Sequence, residues 1–530
     1  MPYDSLFSDT PATFVDTYAL TMAQADFASG DQNRISTSQV FFRQLLNNGF
    51  KDFQGKDLKV PYMVVAGLGP FFEWLDNWKF DDKTIAKLAK LKAAGTHEPL
   101  FTPEFLAALK DQKIEVSIEA IPEGDLAFPD EPIVRLTGPH WQVQMLEGAI
   151  LNAITAQTGW ATVASQFWLA AQTLTKRATL VEFGLRRNSE WGGLGAARSA
   201  YLAGWDGTSN VYAATTYDIP PAGTMAHAYI MVRENEVDAF ATWAKNMPHL
   251  GVFLVDTYDT EQGIRNAIAA CKKAGIKLRG IRLDSGDMKK LSRVGRDILN
   301  EAGFKDAVIM ASDSLNIRTV HQLYQVDGAP LDSMGIGGNY VTRRQDTEGV
   351  SAVMKAAVAD GRDLMKFSET PDKATIPGAL DIIRTLEPQK FGDAFFGGDI
   401  LVPRGMDVGD GKLSRELVAI PRNSLAAVQP YPAGTKFYRP MIPFTDKGRH
   451  LLPEYQAQDA PAILAKSRSH FMHSMKQLHD ALKEIAAPAS YEVGLEESLH
   501  TVRTGRIRAN EAAQKRAAQA SRFLEPAIAA

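Results

Sequence analysis

The chain has 530 residues, 45% of them hydrophobic and 23% charged, with a net charge of −4 at pH 7. That length predicts two or three domains, because single cores stop growing beyond roughly 250–300 residues. The near balance of 58 Lys+Arg against 62 Asp+Glu offers no charge excess to nucleic acid or an anionic membrane. Cys271 is the only cysteine, which excludes an intrachain disulfide and favours a reducing, cytoplasmic setting. The opening MPYDSLFSDTPATF has no basic stretch followed by an apolar one, so no signal peptide is expected. No run approaches the roughly 18 apolar residues that span a bilayer, and none is expected to do so.

Along the first part of the chain, residues 40–43 and 62–66 read as strands, and residues 84–94 and 103–110 as helices. EVSIEAIPEGDLAFPDEPIVRL alternates apolar and polar residues between Pro and Gly, the mark of short antiparallel strands. Residues 141–177 carry helical apolar spacing, with a break expected near Gly159. From Thr179 the rhythm changes to short apolar runs: LVEFGLRR, TMAHAYIMV, GVFLVDTYD, LRGIRLDSGD, AVIMASDS and SMGIGGNYV. Between several of them lie helical segments at 261–275, 287–303 and 316–326, two of which close on Gly275 and Gly303. Alternating β and α units with buried strands imply a parallel sheet. Strand-like segments return after Ala352, and residues 461–530 are rich in Ala, Lys and Arg and read as helical.

Several of the parallel runs end in ionisable residues: Arg186 and Arg187, Asp256 and Asp259, Arg282, Asp284 and Asp287, and Asp313. One such residue is ordinarily a loop charge or a helix N-cap, as expected for Asp287. Four strands ending this way point to a site, since β/α barrels place their catalytic groups at strand C-termini. Arginines grip phosphate or carboxylate oxygens in pairs, and carboxylates hold Mg²⁺ or accept sugar hydroxyls. The turn 335–338, GIGG, frees backbone amides to approach a phosphate. Neither a Walker-type pattern nor GxGxxG is present. His227 falls inside TMAHAYIMV, read as a strand, where a lone histidine is ordinarily structural. His470 and His473 lack metal-ligand partners and read as solvated. The basic tail (Arg503, Arg506, Arg508, Lys515, Arg516, Arg522) reads as a charged helix face.

The blocks FVDTYALTM, VFFR, IPEGDLAFPDEPIVRLTGP, EFGLRR, GAARSAYLAGWDGTSNV, PAGTMAHAYIM, LVDTYDT, GIRLDSGD, ASDSLN and GIGGNYVT stand in one order from Phe14 to Thr342. In that order they resemble the nicotinate phosphoribosyltransferase family, the type II phosphoribosyltransferases. The likeness thins into KFSET and a following Pro-Gly, and does not reach the tail. The resemblance implies an irregular α/β barrel at 141–345 and an N-terminal α/β domain at 1–140. It also implies a β-rich segment at 346–460 completing that domain, and leaves a helical region at 461–530. It implies a homodimer with shared active sites acting on small molecules, with nicotinate, phosphoribosyl pyrophosphate and ATP as substrates and Mg²⁺ as cofactor. Phe183 then stacks on the pyridine ring, Tyr18 of the partner subunit covers its other face, and Asp16 supports that sandwich. Thr224, Arg282 and Arg186 approach nicotinate, and Asp284 faces the ribose or Mg²⁺–pyrophosphate. Gly337 and Gly338 offer amides to the 5-phosphate near Ser312 and Asp313. His227 matches the histidine that the family phosphorylates from ATP.

The related nicotinamide enzyme shares this plan, and quinolinate phosphoribosyltransferase is a further alternative. In GWDGTSN, Ser209 stands where the nicotinamide enzyme carries an aspartate. An aspartate repels a carboxylate substrate, whereas a serine hydroxyl donates to one, which favours nicotinate. A barrel that kept its phosphate pocket as a non-catalytic metabolite sensor is the remaining alternative. His227, Arg282 and Asp284 are all present, which argues against it.

Overall fold

A computed structural model describes residues 10–343, 350–368, 373–389, 393–422 and 428–524. Glu369 and Thr370 of KFSET, the boundary near residue 345, the first nine residues and the last six lie outside the described residues. So do the side chains beyond residue 516, Arg522 included. The chain forms a mixed α/β structure with three large sheets. Among the described residues, no helix is long and apolar enough to cross a membrane.

The first sheet has seven antiparallel strands built from both flanks of the chain. Ile35–Phe42 lies between Ala352–Ala359 and Pro132–Pro139, and Ser117–Ala120 joins Pro132–Pro139 to Ile442–Asp446. The alternation in EVSIEAIPEGDLAFPDEPIVRL thus becomes Ser117–Ala120, Leu126–Ala127 and Pro132–Pro139. The helices expected early in the chain are Asp82–Leu88, shorter than its pattern, and Pro103–Leu109.

The helix His140–Ala170 runs unbroken through Gly159, contrary to the expected interruption. The glycine serves close packing instead. A Cβ there would come 2.0 Å from Arg343 Nη1 and 2.9 Å from Val350 Cγ2. A second six-stranded sheet contains Leu380–Glu387, Phe395–Pro403 and Leu417–Pro421, and it takes a strand from the tail. Val493–Glu496 fits between Phe395–Pro403 and Leu417–Pro421, so the region read as helical contributes to a sheet. Helix Ala460–Gln477 packs on the molecule through Leu464, Phe471 and Met475, and helix Glu497–Leu524 follows the strand. Within the tail's basic residues Arg503 is buried, which departs from the exposed-face reading. His470 is half-buried with Nδ1 3.2 Å from the Glu123 carbonyl, while His473 is exposed.

The third sheet is parallel throughout. Its strands in chain order are β1 (Thr179–Glu182), β2 (Gly207–Thr208), β3 (Val252–Leu254), β4 (Gly280–Leu283), β5 (Val308–Ser312) and β6 (Ser333–Ile336). Their spatial order is β3-β4-β5-β6-β1-β2, and Pro221 adds one parallel bridge beyond β2. The helices after β3, β4 and β5 begin at the strand ends because side chains cap them. Asp259 accepts the Gln262 amide at 2.8 Å, Asp287 that of Lys290 at 3.1 Å, and Asn316 that of Thr319 at 2.9 Å. Asp287 is therefore the N-cap the sequence predicts, and Asp259 is one as well, not a free site charge.

TMAHAYIMV is not a strand. After an extended Ala226, residues His227–Met231 form a short helix. Ile230 turns inward while Met231 and Val232 face out, and Tyr229 packs edge-on against Trp243. A short apolar run is compatible with either state, and here no ladder is at hand to extend it.

Candidate active site

Four of the predicted residues form one hydrogen-bonded cluster at the C-terminal ends of β4 and β5 and the loop before the His227 helix, with His227 and Phe183 beside it. Arg282 directs Nε to Ser312 Oγ at 2.7 Å, Nη1 to Thr224 Oγ1 at 3.0 Å and Nη2 to Asp284 Oδ1 at 2.8 Å. Its guanidinium lies 5.3 Å from the centre of the Phe183 ring. Asp284 also accepts the Ser312 hydroxyl, and its other oxygen stands 3.5 Å from His227 Nε2. His227 Nδ1 is 3.0 Å from Thr257 Oγ1, which fixes the ring and leaves Nε2 turned toward Asp284.

The aromatic wall depends on a glycine. A Cβ on Gly335 of β6 would come 2.4 Å from the Phe183 ring, so the ring can lie flat against that strand only because Gly335 has none. Gly337 and Gly338 follow directly, with Arg187 beside Gly338, and an open depression there is lined by Arg187, Ser314, Gly338, Asn339 and Thr342. Asp313 and Ser314 leave β5 with φ of 134° and 44°, a left-handed excursion that side chains rarely adopt. Such strain persists where the surroundings hold it, and functional loops are a frequent place.

The remaining predicted residues stand further out. Arg186 and Arg187 are exposed in the one-turn helix Leu185–Arg187. Ser209 is exposed just past β2, its amide bonded to the Glu182 carbonyl at 2.9 Å. Asp16 is the N-cap residue of helix Thr17–Ser29, and Tyr18 is 46% exposed on that helix. The Tyr18 hydroxyl donates to Glu147 at 2.9 Å, and burial with that carboxylate pushes its pKa up to about 12. Among the described residues, no hydrogen bond joins Asp16 or Tyr18 to the strand-end cluster.

Sequence reasoning missed three features. Asp256 binds the amide of Asp284 at 2.8 Å and the Ser285 hydroxyl at 2.6 Å, so it supports the catalytic-side loop instead of projecting from it. Glu182, at the end of β1, is a wholly buried carboxyl whose pKa burial raises to about 7. A third is a shallow cleft lined by Arg43, Lys355, Lys373 and Arg422 from distant parts of the chain, with Asp130 paired to Arg422. An acidic residue directly after two apolar strand residues, Leu180 and Val181, was the available signal for Glu182. The cleft had none, because its residues are far apart in the chain.

Comparison with known proteins adds to this geometry. Residues 13–155 match the nicotinate phosphoribosyltransferase N-terminal domain model, and residues 178–396 match the nicotinate phosphoribosyltransferase family model. The chain is similar to the nicotinate phosphoribosyltransferase of Bacillus subtilis, with 34% identity over 391 residues, 71% of this chain and 74% of that one. A nicotinate phosphoribosyltransferase of Mycobacterium tuberculosis is 34% identical over 403 residues, 74% of this chain and 81% of that one. In fold, the crystal structure of human nicotinic acid phosphoribosyltransferase is similar with a TM-score of 0.72 at 23% identity, covering 93% of this chain and 99% of that one.

Proposed function

We propose that this chain, which belongs to the nicotinate phosphoribosyltransferase family, joins nicotinate to phosphoribosyl pyrophosphate, releasing nicotinate mononucleotide and pyrophosphate for NAD synthesis. The observation that carries this reading is Arg282. It is held by Ser312, Thr224 and Asp284 while it faces the Phe183 ring, so an aromatic wall and a fixed cation share one pocket. That pairing suits a flat ring bearing a carboxylate. Pyrophosphate departs through an oxocarbenium-like transition state, so positioning and electrostatics carry the rate. Phe183 and Thr224 hold the pyridine, and Ser209 donates to the carboxylate. Arg186, Asp313 and the Gly337 and Gly338 amides serve the phosphates. We read the parallel sheet as the ordered arc of an irregular barrel, and the single cysteine as fitting the cytoplasm.

ATP hydrolysis is coupled through His227 in this reading. With Nδ1 held by Thr257, Nε2 is the atom free to take a phosphoryl group, which would bring charge and acceptor oxygens to the Asp284 side of the pocket. Mg²⁺ fits the donors present. Asp256 and Asp284 lie on neighbouring strand ends, and Asp256 Oδ1 is buried with no hydrogen-bond partner among the described residues. No cluster of three or more ligating side chains exists among the described residues, so substrate phosphate oxygens would complete the ion's shell. When bound, the ion would neutralise pyrophosphate charge.

A homodimer fits the exposed apolar residues Leu185, Val211, Tyr212, Met231, Val232 and Tyr258 at or near this face. Tyr18 of the partner subunit would then cover the ring.

Product formation from nicotinate and phosphoribosyl pyrophosphate, with and without ATP, tests the reading on wild type and His227→Ala. ATP should raise wild-type turnover and be consumed with it, while the variant forms product at a rate that ATP does not change. Full ATP-coupled turnover by the variant would overturn the histidine assignment. A wild type that makes no nicotinate mononucleotide would overturn the reaction.

A further inference from the structure

Glu182 closes a strand in which it follows the apolar Leu180 and Val181, and it is wholly buried. A carboxyl group removed from water needs both oxygens satisfied. Its Oε1 accepts the amide of Gly184, and Oε2 accepts the Thr208 hydroxyl at 2.7 Å. The Glu182 carbonyl accepts the Ser209 amide at 2.9 Å, and Thr208 Oγ1 also accepts the Asn210 amide at 3.0 Å. Asn210 in turn caps helix Val211–Tyr217. One residue therefore ties the end of β1, where Phe183 begins the aromatic wall, to the end of β2, where Ser209 emerges.

We infer that Glu182 is a positioning residue for the pyridine pocket, holding the Phe183 and Ser209 loops at a fixed separation and so setting nicotinate affinity; this rests on the reaction proposed above. It acts through those two neighbours, with its own carboxyl behind them. The groups facing it are the Gly184 amide, the Thr208 hydroxyl and the Tyr340 phenol, which donates to the Ala196 carbonyl at 2.8 Å. Burial raises the carboxyl to about 7, so it carries its proton below that pH. Above it, a negative charge develops behind a pocket that takes a carboxylate. The KM for nicotinate should therefore rise as pH climbs through 7.

Glu182→Ala removes both acceptors, and Glu182→Gln imitates the protonated carboxyl at every pH. Thr208→Val removes the same tie from the other side and leaves the carboxyl in place. Steady-state kinetics should show KM for nicotinate raised about tenfold by Glu182→Ala and about threefold by Thr208→Val, the scale of one lost buried hydrogen bond. KM for phosphoribosyl pyrophosphate and kcat should stay within about twofold, and Glu182→Gln should flatten the rise of nicotinate KM across pH 7. Unchanged nicotinate KM in folded Glu182→Ala and Thr208→Val, or equal losses for both substrates, overturns the inference while leaving the reaction standing. If Glu182→Ala does not fold, Thr208→Val decides by the same criterion. A wild type that neither binds nor converts nicotinate overturns the reaction, and the positioning role falls with it.

Discussion

Arg384 and Arg282 are both guanidiniums held by carboxylates, yet their surroundings differ. Arg384 has no exposed surface. It binds Asp399 at 2.6 and 2.9 Å, Glu131 at 3.1 Å and the Leu126 carbonyl at 2.8 Å, while Tyr491 donates to Asp399 at 2.8 Å. Burial first, and Asp399 second, push Glu131 well above the ordinary carboxylate range. Arg282 reaches the same number of partners, but its carboxylate Asp284 and the nearby His227 keep 27% and 37% of their surface open. A buried set with every lone pair used locks two parts of the fold together; a half-open set keeps capacity for a ligand. The same residue types therefore do structural work between the antiparallel segments and, in the proposed reaction, bind substrate at the parallel strand ends.

Substitutions separate the two roles. The largest effect is expected from Arg384→Met, which leaves Asp399 and Glu131 buried without their cation and should destabilise the fold by about 3–5 kcal/mol. Denaturant titration measures that loss, and kcat/KM of the folded fraction should be unchanged. A variant that stayed stable but lost turnover would break the contrast. Arg282→Ala should do the opposite, lowering kcat/KM by about 10²–10³ while the unfolding midpoint moves little. Ser209→Asp ranks last. By placing a like charge against the substrate carboxylate, it should raise KM for nicotinate about tenfold and leave KM for phosphoribosyl pyrophosphate unchanged. Equal losses for both substrates would remove Ser209 from substrate choice.

The parts of this picture that were legible in the sequence are the locally determined ones. Apolar runs between capped helices predict the parallel strands, and charges at their ends point to Arg282 and Asp284, whereas Thr224 and Ser312 enter only through the family resemblance. His227 was found in sequence order but placed on the wrong element, because TMAHAYIMV is too short for its apolar pattern to separate strand from helix. Gly159 read as a break, since the contact that requires it, with Arg343, lies 184 positions away in the chain. The strand Val493–Glu496 was invisible for a related reason. Four residues of mixed polarity gain their strand state only by pairing with neighbours on both sides. Glu182 carries a signal in its type, an acid after Leu180 and Val181, but the partners that give it a role, Gly184 and Thr208, meet it only in the fold.

In the proposed reaction the pocket beside Phe183 takes the pyridine acid. A competition assay measures it most directly: nicotinate, nicotinamide and quinolinate supplied together with phosphoribosyl pyrophosphate, Mg²⁺ and ATP, and the mononucleotide products separated. Nicotinate should be consumed with a kcat/KM at least about tenfold above either competitor, the discrimination one well-placed polar contact supplies. Equal or preferential consumption of nicotinamide or quinolinate would contradict it.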